Sequence, residues 1–240
     1  MKKLLFTLII ISFGCSNQTR KETTLPKPQL NPNNYNVAFL IIDGVFNTEL
    51  TAPYDIFHHT IFRENIKAMN VFTVSNQSTP VRTFEGLNIL PDYNFLTDSL
   101  PNIDILVVPS AEHNLDTDLE NEALINFVKQ TSKNAIYVTS HCDGAFVLAK
   151  SGILNGIEST TFPGDIEAYK KMFPELIIHD SLLFVHDGKF ITSAGDAKSF
   201  EASLYLCELL YGKKVADELA KGLVIDWELD NIPHIVVSEN

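Results

Sequence analysis

The chain is poor in the residues that most often announce a function. It has 3 cysteines in 240 residues, and no cluster of Cys and His stands at the spacings that hold zinc. No glycine-rich run ends in a lysine, so a phosphate-binding loop is excluded; "GVFNTEL", Gly44 to Leu50, has neither feature. Positive charge is scarce, with 18 lysines and arginines against 30 acidic residues and a net charge of −12. A chain of that sign repels a phosphate backbone, which argues against nucleic acid as a partner. No apolar run reaches the roughly 20 residues that cross a bilayer. No internal repeat or low-complexity tract stands out. What remains is a chain with 45% hydrophobic residues, enough for one sizeable domain and an extra segment.

The extra segment opens the sequence. "MKKLLFTLIIISFGCSN" has two lysines, a short apolar run from Leu4 to Phe13, then Gly14 and Cys15. That order fits a secretory signal over residues 1–14. The cysteine after a small residue resembles the lipobox of bacterial lipoproteins, although Ser12 and Phe13 depart from its usual residues. Lipidation of Cys15 is therefore expected, with residence in the cell envelope on a membrane. An ordinary cleaved signal and a retained anchor are the alternatives. Residues 15–34 are polar and proline-rich and read as a flexible tether, leaving residues 35–240 as the domain.

Within the domain, apolar runs suited to buried strands alternate with amphipathic stretches. "VAFLIID", "NVFTVSN", "DILVVPS" and "AIYVT" read as strands. "NTELTAPYDIFHHT", with Asn47 or Thr48 as N-cap, "LENEALINFVKQTSK", "GAFVLAKSG", "SFEASLYLCELLYG" and "KKVADELAKGLV" read as helices. "LLFVHDGKFITSAG" reads as a hairpin turning at Asp187-Gly188. The pattern implies an α/β fold in three layers, a mostly parallel central sheet with helices on both faces. Ligands of such sheets bind beyond the carboxyl ends of the strands.

One of those ends carries "TSHCDGAFVLA". Cys142 sits at a sharp strand-to-helix turn, Gly144 leaves room for the backbone, and the helix N-terminus presents unpaired N–H groups. This is the form of a nucleophile elbow, where the dipole favours a thiolate and an oxyanion beside it. A buried structural thiol is the alternative. Cys207, at helical spacing among apolar residues, reads as core.

"YVTSHCDGAFVLAKSGILNG" resembles the cysteine elbow of the ThiJ/PfpI superfamily, relatives of the class I glutamine amidotransferases. "VAFLIIDGVFNTELTAPYDIF", "STTFPGDIEAYKKMFPE" and "LLFVHDGKFITSAGDAKSFEASLYLCELLYGKKVADELAKGLVIDW" extend the resemblance from Val37 to Trp227. It is nearest to the branch of isocyanide hydratases and the amidase-like sensor domains of AraC-type regulators. The resemblance implies a flavodoxin-like fold, a homodimer and no cofactor. It makes Cys142 the reactive cysteine and Glu49 the acid packed against its sulfur. The Asp143 N–H becomes one oxyanion donor, and the N–H of Ala111 or Ser110 the other. His113 in the same loop joins the substrate-binding candidates, its alternative being a solvent-facing histidine.

Three departures stand beside this. Ser110-Ala111 replaces two glycines, Asp143 occupies a position where relatives carry His or Thr, and Phe162 stands where many have His. A Cys–His dyad is therefore not expected, and strand alternation turns His141 away from Cys142. His58-His59 is an adjacent pair whose rings cannot share a helix face. The reaction implied is thiolate attack on a small electrophile, isocyanide- or glyoxal-like, with Glu49 handling protons and water releasing product. The alternative is a sensing domain whose Cys142 meets an oxidant. Either role calls for an acidic, partly accessible thiol.

Overall fold

The computed structural model describes residues 26–237, so Cys15, the signal segment and the first part of the tether lie outside the described residues. The order is β1 (Tyr35–Leu40), α1 (Asn47–His58), β2 (Met69–Ser75), β3 (Val81–Arg82), β4 (Asn88–Ile89), β5 (Tyr93–Asn94), β6 (Ile105–Val108) and α2 (Glu122–Asn134). Then follow β7 (Tyr137–His141), α3 (Gly144–Lys150), β8 (Glu158–Ser159), α4 (Ile166–Met172) and β9 (Ile177–Ile178). The chain closes with β10 (Phe184–Asp187), β11 (Phe190–Ser193), α5 (Ser199–Tyr211), α6 (Lys213–Gly222) and β12 (His234–Val237).

Eight of these strands form one sheet in the order β12-β10-β11-β7-β6-β1-β2-β5. All neighbours run parallel except β10 and β11, whose hairpin turns through Gly188-Lys189, one residue beyond the expected Asp187-Gly188. The sheet is covered on both faces, which is why β6, and β1 from Val37 onward, are apolar at every position rather than at alternate ones. In β1 and the residues after it, Val37, Phe39 and Ile41 pack under α1, α5 and α6. Ala38, Leu40 and Ile42 pack under α2, α3 and α4. The alternation follows from the two-residue repeat of a strand.

Two local readings are corrected. α1 is not capped by Asn47 or Thr48: its N-cap is Phe46, which offers no side-chain acceptor. Glu85, in the β3–β4 turn, supplies one instead, accepting the Asn47 N–H at 3.0 Å. The segment read as tether is docked over its described end. Asn31 exchanges hydrogen bonds with the Asn70 side chain, at 3.1 and 2.9 Å, and Leu30 packs against the core. Amide pairing and one leucine hold a stretch whose composition suggested a free chain.

Because β1, β6 and β7 are adjacent and parallel, the loops leaving them meet at one edge. The first two loops are joined there. Val45 bridges Ala111, and the Phe46 N–H donates to the Ser110 carbonyl at 3.1 Å.

Candidate active site

Cys142 stands at this edge, between β7 and α3, with φ at +52°. That left-handed conformation is costly for a side chain with a Cβ, and it persists where the surroundings over-determine it. Three features do so here. The Cys142 N–H donates to the Ser193 carbonyl of β11 at 3.0 Å. A Cβ on Gly144 would lie 2.1 Å from the Val108 carbonyl oxygen, so the first turn of α3 rests directly on β6. A Cβ on Gly195 would lie 2.4 Å from both the Cβ and the N of Cys142. The elbow is clamped between two glycines, only one of which the local sequence around the cysteine reveals.

Glu49, in the first turn of α1, is buried beside the sulfur. Its Oε2 accepts the Ser110 N–H at 2.9 Å and its Oε1 the Asp196 N–H at 3.4 Å. Burial pushes its carboxyl up to about 7, against the pull of these N–H groups and of the neighbouring Cys142 thiol. The thiol is pushed up as well, first by burial and then by the charges of Glu49 and Asp143. The acidic, accessible thiol expected from the elbow is thus corrected. Cys142 is only 7% exposed, and its burial, with two carboxylates beside it, favours the neutral thiol. The arrangement is a thiol–carboxylate pair whose ionisations oppose each other, since like charges in a buried site do not ionise together.

Asp143 follows the cysteine directly and is also buried. Thr161 Oγ1 is 3.0 Å from Asp143 Oδ1 and 3.0 Å from the Cys142 carbonyl oxygen. Burial, and after it the neighbouring carboxylate of Asp165, raise Asp143 to about 7. Its backbone N–H, at the N-cap of α3, has no acceptor among the described residues and remains available as an oxyanion donor. The second expected donor does not. The Ser110 N–H is spent on Glu49, and the Ala111 N–H donates to Asn114 Oδ1 at 2.9 Å.

The histidines lie outside this constellation. His113 is half-exposed, with Nδ1 3.3 Å from Asp116. His141 is buried, with Nδ1 3.0 Å from Ser193 Oγ, and burial lowers it to about 3. Cys207 is fully buried in α5. No group of three or more His, Cys, Asp or Glu residues among those described is placed to hold a metal ion. The sequence reading missed Asp165, Thr161 and Gly195. The first two are brought in by the long excursion between β8 and β9, and Gly195 signals itself only as the glycine of "SAGD".

A thiol on a strained strand-to-helix turn, backed by a buried glutamate from the helix after β1, is now in place. Residues 35–209 match the model of the DJ-1/PfpI family. The chain belongs to this family. The isonitrile hydratase of Pseudomonas putida is 29% identical over 181 residues, 75% of this chain and 74% of that one. Protein dj-1beta of Drosophila melanogaster is 27% identical over 156 residues, 63% of this chain and 80% of its own. A solved ThiJ/PfpI family protein from Pseudomonas syringae superposes with a TM-score of 0.71 at 21% identity, covering 85% of this chain and 83% of that one. The DJ-1/PfpI fold of this protein is accordingly the mostly parallel, two-sided sheet described above.

Proposed function

We propose that this DJ-1/PfpI protein is a cysteine-dependent hydratase or lyase that acts on a small electrophile through a covalent adduct on Cys142. The observation that carries the reading is the Cys142–Glu49 pair. A thiol is held in a strained φ against a carboxyl group whose pKa of about 7 suits proton transfer near neutrality. The similarity to an isonitrile hydratase supports an isocyanide-like substrate, and a glyoxal-like one fits the same steps.

For an isocyanide the steps balance as follows. The sulfur bonds to the terminal carbon while the thiol proton passes through Glu49 to that carbon, giving a thioimidate. Glu49, ionised again, takes a proton from water as its oxygen adds to the carbon. Asp143 donates to the nitrogen and recovers a proton from the hydroxyl as the C–S bond breaks. The sulfur regains its proton from Glu49, and an N-substituted formamide leaves, with one water consumed. The Asp143 N–H faces the developing charge. The reading includes an envelope location through a lipid on Cys15, and a homodimer.

The test is formamide production from an alkyl isocyanide, and lactate production from methylglyoxal, by the wild-type chain and by Cys142→Ser. Product from either substrate that disappears in the variant supports the reading. No product from either removes it, and oxygen addition to Cys142 under peroxide would then favour the sensing role.

A further inference from the structure

Ser110 occupies the join between the two halves of the site, where its side chain has no assigned purpose. The residue is 1% exposed. Its backbone is fully engaged: the N–H donates to Glu49 Oε2 at 2.9 Å, and the carbonyl accepts the Phe46 N–H at 3.1 Å. Its hydroxyl is buried and has no hydrogen-bond partner of ordinary geometry. A buried hydroxyl left without a partner carries a desolvation cost and calls for an explanation. The Ser110 N–H holds the Glu49 carboxyl that is paired with the Cys142 thiol, and its side chain favours the negatively charged form of that sulfur. A neutral thiol is a weak acceptor, which accounts for the unsatisfied state at rest. A thiolate is a strong one.

We infer that the Ser110 hydroxyl is a catalytic hydrogen-bond donor to the Cys142 sulfur, engaged as the thiol proton moves to Glu49. This rests on the reading of Cys142 and Glu49 as a reacting pair. It gives the departure from glycine at this position a purpose. Ser110 holds the proton acceptor with its N–H and the developing thiolate with its O–H, so one residue serves both ends of the transfer. Around the sulfur the other ionisable groups are Glu49 from α1, Asp143 from the elbow, and Asp165 behind Asp143. All are acidic, and Ser110 is the side chain that opposes them.

The experiment is the pH profile of Cys142 alkylation by iodoacetamide in the full chain, for wild type, Ser110→Ala and Ser110→Gly. Both variants keep the N–H on Glu49, so the midpoint near pH 7 set by that carboxyl should stay in place. A hydrogen bond to a charged acceptor is lost, and the weaker nucleophilicity of a stabilised thiolate recovers about half of its effect. The plateau rate should fall about three- to tenfold in each variant. A disturbed loop would instead move the midpoint, because Glu49 would lose its N–H. Plateau rates equal to or above wild type in both variants, or a displaced midpoint, would overturn the inference. Formamide production measured on the same samples keeps the two claims apart. Slow alkylation in the variants with no product in wild type retains the Ser110 assignment and removes the hydratase reading.

Discussion

At the scale of single residues, the site is built from groups that constrain one another. Gly195 is the clearest case. Its φ of +78° and the 2.4 Å gap to Cys142 leave no space for a methyl group. Gly195→Ala should destabilise the chain by about 2 kcal/mol or more and slow Cys142 alkylation, measured by denaturant unfolding and by intact mass. Asp143 is subtler. Its carboxyl shares the site with Asp165 and is raised to about 7. Asp143→Asn keeps the backbone N–H but cannot supply the proton that the proposed steps ask of Asp143. It should lower turnover more than tenfold while leaving the Cys142 alkylation rate unchanged or faster, since one negative charge near the sulfur is gone. The cysteine and Glu49 were legible in the sequence because an elbow motif and a recurring acidic position carry them. Asp165 was not, because nothing in "TTFPGDIEAY" shows that its short helical turn folds back over the elbow. The high pKa of the thiol was also hidden: it depends on how deeply the corner is buried and on which way Asp143 turns.

At the scale of elements, the strands that matter most were the easiest to read. β1 and β6 are central, so their sequences are apolar runs that end where a polar loop begins, while β7 turns polar from Thr139 onward, before its loop. The start of α1 was harder. Its cap comes from Glu85, 38 positions further along the chain from Asn47, so no local motif reports it. Glu85→Ala should cost about 0.5–1 kcal/mol in unfolding free energy, as loss of an exposed helix cap does. Because α1 carries Glu49, the same variant is expected to slow turnover modestly. An unchanged stability would mean that water replaces the carboxylate at no cost. The docking of residues 30–34 was illegible for a similar reason. An asparagine-rich stretch resembles a linker until Asn70 from β2 is known to lie opposite it.

At the scale of the whole molecule, buried ionisable groups set opposing pH dependences. Glu49 titrates at about 7 in the folded chain against 4.5 as its ordinary value. Between those values the folded state holds a proton that the unfolded state has released. This contribution is therefore present at low pH and lost as pH rises through about 7. Asp143 acts in the same direction, from 3.8 to about 7. His141, lowered from 6.5 to about 3, acts in the other: its contribution is present above 6.5 and lost as pH falls toward about 3. Glu49→Gln should accordingly be more stable than wild type at about pH 8, by an amount on the order of 3 kcal/mol, with the gap closing toward about pH 4.5. Unfolding curves at the two pH values check the sign.

Whether Cys142 and Glu49 move one proton as a unit is decided by the pH profile of Cys142 alkylation in wild type and Glu49→Gln. With Glu49 as the proton acceptor, the wild-type rate should rise through a midpoint of about 7 and level off. In Glu49→Gln that step should vanish, leaving a slower rate that climbs only toward the ionisation of the thiol itself. Superimposable profiles for the two proteins would contradict a coupled pair, because the carboxyl group would then have no part in moving the thiol proton.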